Sequence, residues 1–279
     1  MRLLLQLVMV LTMVWPAWCG DLSLLVPEVH NGEVAVLHWQ GEPLSFGVVR
    51  FRDEIIYLYP DKAGAIALLP VGLDVHAGDY PLIAALVDNH GQTTESELIL
   101  HVTHKERPEE HLTLPERMVT PNAQDTERIN REAGILSEKF AARSSRLWAT
   151  FQLPVDDPVS SVFGKRRVMN GKPKSPHSGT DFRSASGTPV RAISDGRVVL
   201  CAELFYTGQT VVVDHGEGLL SLYAHLSKVL VEEGAVLLAG DVLGNVGSTG
   251  RSTGAHLHLT LRLLGERVDP LALLAVFKE

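Results

Sequence analysis

Apolar positions along this chain recur mostly with a period of two and in short runs, the pattern of β-strands rather than of helices. From Asp21 to about His104, runs of valine, leucine and isoleucine are separated by turn signals at His30-Asn31-Gly32, Pro60-Asp61-Lys62 and Asn89-His90-Gly91. This spacing predicts a small β-sandwich over residues 21–104. The stretch from Gly78 to Asp88, followed by Glu95 to Val102, predicts the closing hairpin of an immunoglobulin-like domain. That likeness is architectural, because the cysteine and tryptophan hallmarks of the immunoglobulin fold are missing.

The pattern changes across residues 105–150. Lys105 to about Gln124 is charged and carries prolines, as a linker does. From Asp125 to Trp148, apolar residues at Ile129, Ala133, Leu136 and Phe140 fall on one helical face. One amphipathic helix is therefore expected to join two domains. Over residues 151–279 short strands and glycine turns return, with Pro270 to Phe277 as a closing helical turn or two. The expected fold is all-β in both halves: an immunoglobulin-like N-terminal sandwich, a helical connector and a C-terminal antiparallel β-sheet domain. No internal repeat or low-complexity tract interrupts it.

Residues 1–20 follow another rule. Met1-Arg2, the mostly apolar run Leu3 to Val14 and the close Pro16-Ala17-Trp18-Cys19-Gly20 have the layout of a secretory signal. The run is shorter than the roughly 20 residues that span a bilayer. A signal cut after Cys19 or close by is thus expected ahead of a retained anchor, leaving no transmembrane span in the mature chain. The bulky Trp18 argues against lipidation of Cys19. The periplasm is the expected compartment, with an extracellular or envelope-associated location as the alternatives. Without the signal only Cys201 remains, so no internal disulfide forms even under oxidising conditions. Cys201 follows Val198-Val199-Leu200 and is expected to pack as a small hydrophobe.

Composition narrows the function. A hydrophobic fraction of 45% over 279 residues suffices for ordinary cores and excludes a disordered chain. The formal net charge of -8 argues against nucleic acid as a partner.

The histidines carry the chemistry. Of the 12 in the chain, His177, His215, His225, His256 and His258 stand beside glycine turns in the C-terminal half. In Gly254-Ala255-His256-Leu257-His258-Leu259-Thr260-Leu261 apolar and polar residues alternate, so His256 and His258 project from one side of a strand. His177-Ser178-Gly179-Thr180-Asp181 offers a nitrogen and an oxygen ligand four residues apart, on one side if extended. His225 is expected on a polar strand face with Ser221 and Tyr223, opposite Leu220, Leu222, Ala224 and Leu226. His215 follows Val211 to Asp214 and precedes Gly216-Glu217-Gly218, which suits a hairpin end, and it is assigned no ligand role. No H-E-x-x-H occurs, and the glycine-rich run Gly244 to Gly254 does not match a phosphate loop. Lys165-Arg166-Arg167 and Lys172-Pro173-Lys174 are expected to be solvated loop residues beside the groove.

Taken in chain order, H-x-x-x-D, an isolated strand histidine and H-x-H resemble the lysostaphin or LytM-type metallopeptidases, family M23. The likeness covers about Pro154 to Pro270 and includes Gly187-Thr188-Pro189-Val190, Asp195-Gly196, Tyr223-Ala224-His225-Leu226 and Gly247-Ser248-Thr249-Gly250. It implies an M23-type peptidase domain at 151–279, with His177, Asp181 and His258 as zinc ligands and His225 and His256 as catalytic residues. It also implies that a zinc-activated water hydrolyses peptide cross-links of bacterial peptidoglycan, a site composition of two imidazoles and one carboxylate that leaves a position open. Tautomers and distances, not the motif, divide the work between His225 and His256. Groove-lining loops choose between cross-links through diamino acids, the expected substrate, and glycine-containing bridges. The alternatives are a non-catalytic zinc-binding regulator of other wall hydrolases, and a zymogen-like enzyme whose sandwich or helix covers the groove. The N-terminal domain is also a candidate surface for a protein partner or for the wall.

Overall fold

The computed structural model describes residues 20–62 and 64–277. The expected signal segment lies outside these residues apart from Gly20. Among the described residues no helix is long and apolar enough to cross a membrane.

The N-terminal part is a sandwich of two sheets. One has the strand order Gly20–Leu24, Val34–Gly41, Gly64–Pro70, Tyr59–Asp61; the other runs Glu28–His30, Thr93–Thr103, Gly78–Asp88, Leu44–Phe51, Glu54–Tyr57. The hairpin of Gly78–Asp88 with Thr93–Thr103 is present. Ala35, Leu37 and Trp39, with Ala65, Ala67 and Leu69, pack on Val49, Phe51, Leu82 and Leu100 of the second sheet. Their strand neighbours Val34, Val36, Ile66 and Leu68 point the other way, into a core shared with Trp148, Leu219 and Leu263. The sandwich therefore buries both faces of one sheet. At about 1.5–3 kcal/mol for each fully buried aliphatic side chain, those four residues contribute an upper estimate of roughly 6–12 kcal/mol to holding the two halves together.

The connector differs from expectation at both ends. The helix runs Ala123–Ala141, with the Asn122 side chain accepting from the Asp125 amide as its N-cap. The helix stops at Ala142, whose backbone is extended, and residues 142–148 are not helical. Their amides at Leu147 and Trp148 donate to the His215 carbonyl at 2.9 and 3.1 Å, and Ser144 Oγ donates to Asp214 at 2.7 Å. This segment delivers Trp148 into the shared core, where Arg146 stacks 3.6 Å from its ring.

Nor is the segment before the helix a loose linker. Glu109–Leu112 pairs in parallel with Arg166–Met169, and a short helix follows at Glu116–Val119. Leu112, Leu114 and Val119 pack on Met169. Lys172 and Lys174, expected to be solvated, tie this strap down: Lys172 Nζ reaches Glu116 and Thr120, and Lys174 Nζ donates to the Val119 carbonyl.

The C-terminal part is built on an eight-stranded sheet in the order Val159–Ser161, Thr180–Phe182, Leu257–Leu263, Leu219–Leu226, Gly208–Gly216, Gly196–Leu204, Val236–Leu237, with Glu266–Val268 pairing Leu257–Leu263. A three-stranded sheet of Pro189–Arg191, Val242–Asn245 and Lys228–Val229 accompanies it. The closing helix is Pro270–Val276, capped by Asp269. Cys201 is half-buried, and burial pushes its thiol up.

The strand Leu219–Leu226 corrects one expectation, since all its residues are buried and no polar face meets solvent. The connector helix covers one side, where Phe140 meets Leu220, Leu222 and Ala224. The other side faces the central core, and its polar groups satisfy one another. Ser221 Oγ lies 2.7 Å from His215 Nε2 and 3.1 Å from the Tyr223 hydroxyl, which accepts from the Ile193 amide. His215 Nδ1 donates to the Asp195 carbonyl at 2.7 Å, so His215 is a buried structural residue at a strand end.

Burial pushes the His215 imidazole down to about 4, against the raising pull of the Asp195 carbonyl and of Asp214. Its folded-state pKa thus lies below the unfolded value of 6.5. As pH falls through that interval the unfolded chain takes up a proton that the folded chain refuses, so stability is lost, by roughly 3 kcal/mol from this group once both values are passed. The melting temperature measured by circular dichroism is expected to fall between pH 6.5 and 4; a flat profile over that interval would contradict a neutral, buried His215.

Candidate metal centre and active-site groove

One pairing assembles the centre. Thr180–Phe182 runs antiparallel to Leu257–Leu263 with Asp181 directly opposite His258. Cross-strand partners of this kind bring their side chains together on one face of the sheet. The pairing requires glycine at 179, because a Cβ there would lie 2.1 Å from the Leu259 carbonyl oxygen. His177 arrives differently from expectation. It stands outside the strand, in a loop held by hydrogen bonds of its amide to the Lys165 carbonyl and of the Gly164 amide to its own carbonyl. It is fully buried.

Three atoms converge. His177 Nε2 lies 3.0 Å from Asp181 Oδ1 and 3.1 Å from His258 Nδ1, and the last two are 2.6 Å apart. His177 Nδ1 is 2.9 Å from the Val162 carbonyl, which only accepts, so the ring proton sits there and Nε2 offers a lone pair. His258 Nε2 is 2.9 Å from Thr260 Oγ1, a hydroxyl able to accept from it and free Nδ1 in the same way. With both rings so arranged, three lone pairs face one another in a buried site with no proton between them. Such an arrangement favours a cation. A tetrahedral zinc with ligands at about 2.0–2.1 Å has ligand–ligand edges of roughly 3.3 Å; two observed edges, 3.0 and 3.1 Å, are of that size, and the Asp181–His258 edge, at 2.6 Å, is shorter. The donor set of two imidazoles and one carboxylate therefore fits zinc.

When no cation is there, ring N–H groups turned toward Asp181 take its place. Burial works to raise the Asp181 carboxyl, but the His177 and His258 rings together hold it well below the usual carboxylate range. Burial lowers His258 to about 4, against the pull of Asp181. The second oxygen of Asp181 is occupied by Arg167, whose Nη2 donates at 3.0 Å, which leaves Oδ1 for the histidine pair. Arg167 is in turn held by Glu110 of the strap at 3.2 Å, and Ser161 and Lys165 bind the same carboxylate. Arg167 is thus a half-buried partner of the centre and not the solvated residue expected.

His225 and His256 flank the centre. His225, next to last in its strand, has a φ of +61°, a left-handed conformation uncommon outside glycine and characteristic of functional positions. Its amide donates to the Thr207 carbonyl and its Nδ1 to the Thr249 carbonyl at 2.8 Å, which frees Nε2. Burial, with smaller contributions from His258 and His256, lowers its pKa to about 3. His256 bridges Gly247, where a Cβ would lie 2.4 Å from the Ser227 amide nitrogen. Its Nδ1 lies 2.9 Å from the Gly254 carbonyl, and its Nε2 faces Asp181 Oδ1 at 3.8 Å. The ring centroids of His225 and His256 are 4.7 Å apart.

All five residues singled out in the sequence thus meet at one groove of about 330 Å³, where Asp181, His225, His256 and His258 line the surface above the buried His177. The strap contributes Glu110, Leu112 and Leu114 to its lining, and the loop before His256 contributes Arg251 to Ala255. Among the described residues none of the lining comes from the sandwich or from the helix Ala123–Ala141, the two elements that the alternative zymogen-like reading placed over the groove. Sequence spacing could not reveal Glu110, Arg167, Tyr206 or Arg251, which approach through tertiary contacts.

Comparison with known proteins places these residues in context. The model of peptidase family M23 matches residues 175–270. A crystal structure of a Pseudomonas aeruginosa protein named for peptidase M23 superposes with a TM-score of 0.68 at 30% identity, covering 88% of this chain and 95% of that one. The peptidoglycan DD-endopeptidase ShyA of Vibrio cholerae is 43% identical over 119 residues, 42% of this chain and 28% of ShyA. The DD-carboxypeptidase/endopeptidase Mpg of Neisseria meningitidis is 42% identical over 114 residues, 41% of this chain and 26% of Mpg. The match to these curated relatives thus spans about a quarter of their length.

Elemental analysis of the purified chain after zinc loading is expected to find one equivalent of zinc. His177→Ala, Asp181→Ala and His258→Ala should each abolish stoichiometric retention, whereas His225→Ala and His256→Ala should keep it; loss in the second pair would redraw the ligand set. Arg167→Ala should weaken zinc affinity by about tenfold in a chelator competition, the usual scale for a group that orients a ligand.

Proposed function

The chain belongs to peptidase family M23, and on that premise we propose that it is an exported zinc metalloendopeptidase that hydrolyses peptide cross-links of peptidoglycan in the periplasm. Convergence of His177 Nε2, Asp181 Oδ1 and His258 Nδ1 beside two further imidazoles in an accessible groove carries this reading. The names of the relatives ShyA and Mpg support the substrate, and the layout of residues 1–20 supports export.

In this proposal His177, Asp181 and His258 hold zinc, and His225 and His256 handle protons. Bound zinc supplies Lewis acidity toward the scissile carbonyl and makes a water acidic enough to attack near neutral pH. Asp181 is kept anionic, so it contributes charge to the ligand set without drawing a proton from the reaction. His225 is kept neutral, with Nδ1 committed to the Thr249 carbonyl, so Nε2 is the atom that accepts a proton. His256 Nδ1 points at the Gly254 carbonyl, which likewise turns Nε2 toward the groove. The two imidazoles, with ring centroids 4.7 Å apart, are close enough for one to take the proton of the attacking water while the other stabilises the oxyanion or protonates the leaving amine. The rival reading, a zinc-binding regulator of other hydrolases, keeps the metal and lacks the cleavage.

The test is release of soluble fragments from purified peptidoglycan by the zinc-loaded chain. Wild type should release peptides with new amino and carboxyl termini, and His225→Ala or His256→Ala should slow release by roughly 10²–10⁴-fold, the usual worth of a general acid–base group. A chelator should stop it. Zinc retained without any cleavage would favour the regulator.

A further inference from the structure

The groove carries more positive charge than its carboxylates balance. Arg167, Arg183 and Arg251 line it, as do Glu110 and Asp181. Both carboxylates are already engaged by Arg167, and Glu110 also binds Lys165. Among the described residues neither the Arg183 nor the Arg251 side chain forms an ion pair or a hydrogen bond. Arg183 is exposed to water, whereas Arg251 is half-buried.

Arg251 is also fixed in place. Its guanidinium carbon lies 4.1 Å from the centroid of the Tyr206 ring, and its amide donates to the Tyr206 carbonyl at 2.8 Å. Burial, aided by the nearby positive charge of Arg167, pushes this guanidinium below its ordinary pKa. A partly desolvated cation without a counterion destabilises the free protein, and an anion delivered by a ligand removes that cost. Stacking on the ring leaves the planar fork of donors free for bidentate contact with a carboxylate. The position is also informative. Arg251 belongs to the loop that delivers His256, in which Ser252 Oγ lies 3.3 Å from His256 Nδ1.

We propose that Arg251, stacked on Tyr206, forms a carboxylate-binding subsite that receives a free carboxylate carried by the substrate beside the scissile amide. This rests on the peptidase reading and gives it a specificity. A direct cross-link through a diamino acid with a second carboxyl group presents such a carboxylate next to the amide nitrogen. A bridge of glycines presents only uncharged amides there. The subsite thus selects the direct, acidic cross-link.

Binding is measured apart from cleavage, on the zinc-loaded full chain carrying His225→Ala so that the ligand survives. Two synthetic cross-linked peptides are compared by calorimetry, one with the free carboxylate beside the scissile amide and one with that group as a carboxamide. The carboxylate peptide is expected to bind at least tenfold more tightly. Adding Arg251→Gln should erase the difference, and Arg251→Lys should restore part of it. Equal binding of the two peptides, or no binding of either, overturns the subsite whatever the variants do. A preference that survives Arg251→Gln also overturns it, since the metal or Arg183 would then be the reader. Failure of the wild-type chain to cut the wall would count against the peptidase reading and leave the binding difference measurable.

Discussion

The antiparallel pairing of Thr180–Phe182 with Leu257–Leu263 is the constraint on which the rest of this structure depends. It sets Asp181 against His258, and the two-residue period of the strand then puts His256 on the same face. A register slip of one residue would turn these side chains into the opposite layer. The register is secured on its other side, where Leu257–Leu263 pairs with Leu219–Leu226 over its length and places Ala224 against His258. A small residue there leaves room for the imidazole, and the next residue, His225, takes a left-handed backbone within the strand.

That pairing is rigid because the sheet is covered on both sides. The connector helix lies on one face through Phe140. The other face shares its core with the N-terminal sandwich through Val34, Val36, Ile66 and Leu68. Among the described residues the sandwich supplies none to the groove, yet it belongs to the scaffold behind the centre. The strap acts more directly, since Glu110 holds Arg167 and Arg167 holds the outer oxygen of Asp181. A segment outside the region matched by the family model thus reaches the candidate metal centre through two ion pairs.

Burial shapes the chemistry of the groove in two ways. It keeps His225 and His258 neutral, with lone pairs available for a proton or a cation, while ring contacts keep Asp181 anionic. It also leaves Arg251 with an aromatic partner and no carboxylate. In the proposed enzyme the first feature would serve the reaction and the second the choice of substrate.

The sequence by itself determined the parts of this protein that follow from local periodicity. The alternation around His256 and His258 placed both on one strand face, the apolar stripe at Ile129, Leu136 and Phe140 located the connector helix, and the hairpin from Gly78 to Val102 was legible from its turn residues. The five-residue constellation was recognisable because its members stand in short motifs. Tertiary structure alone decided the remainder. That Ser221 and Tyr223 face a core, that residues 142–148 leave the helix, that the strap lines the groove, and that Glu110, Arg167 and Arg251 line it too all depend on contacts between residues far apart in the chain. Periodicity reports which face of an element is apolar, but a polar residue satisfied by a distant partner and one bathed in water leave the same local pattern. Only packing distinguishes them.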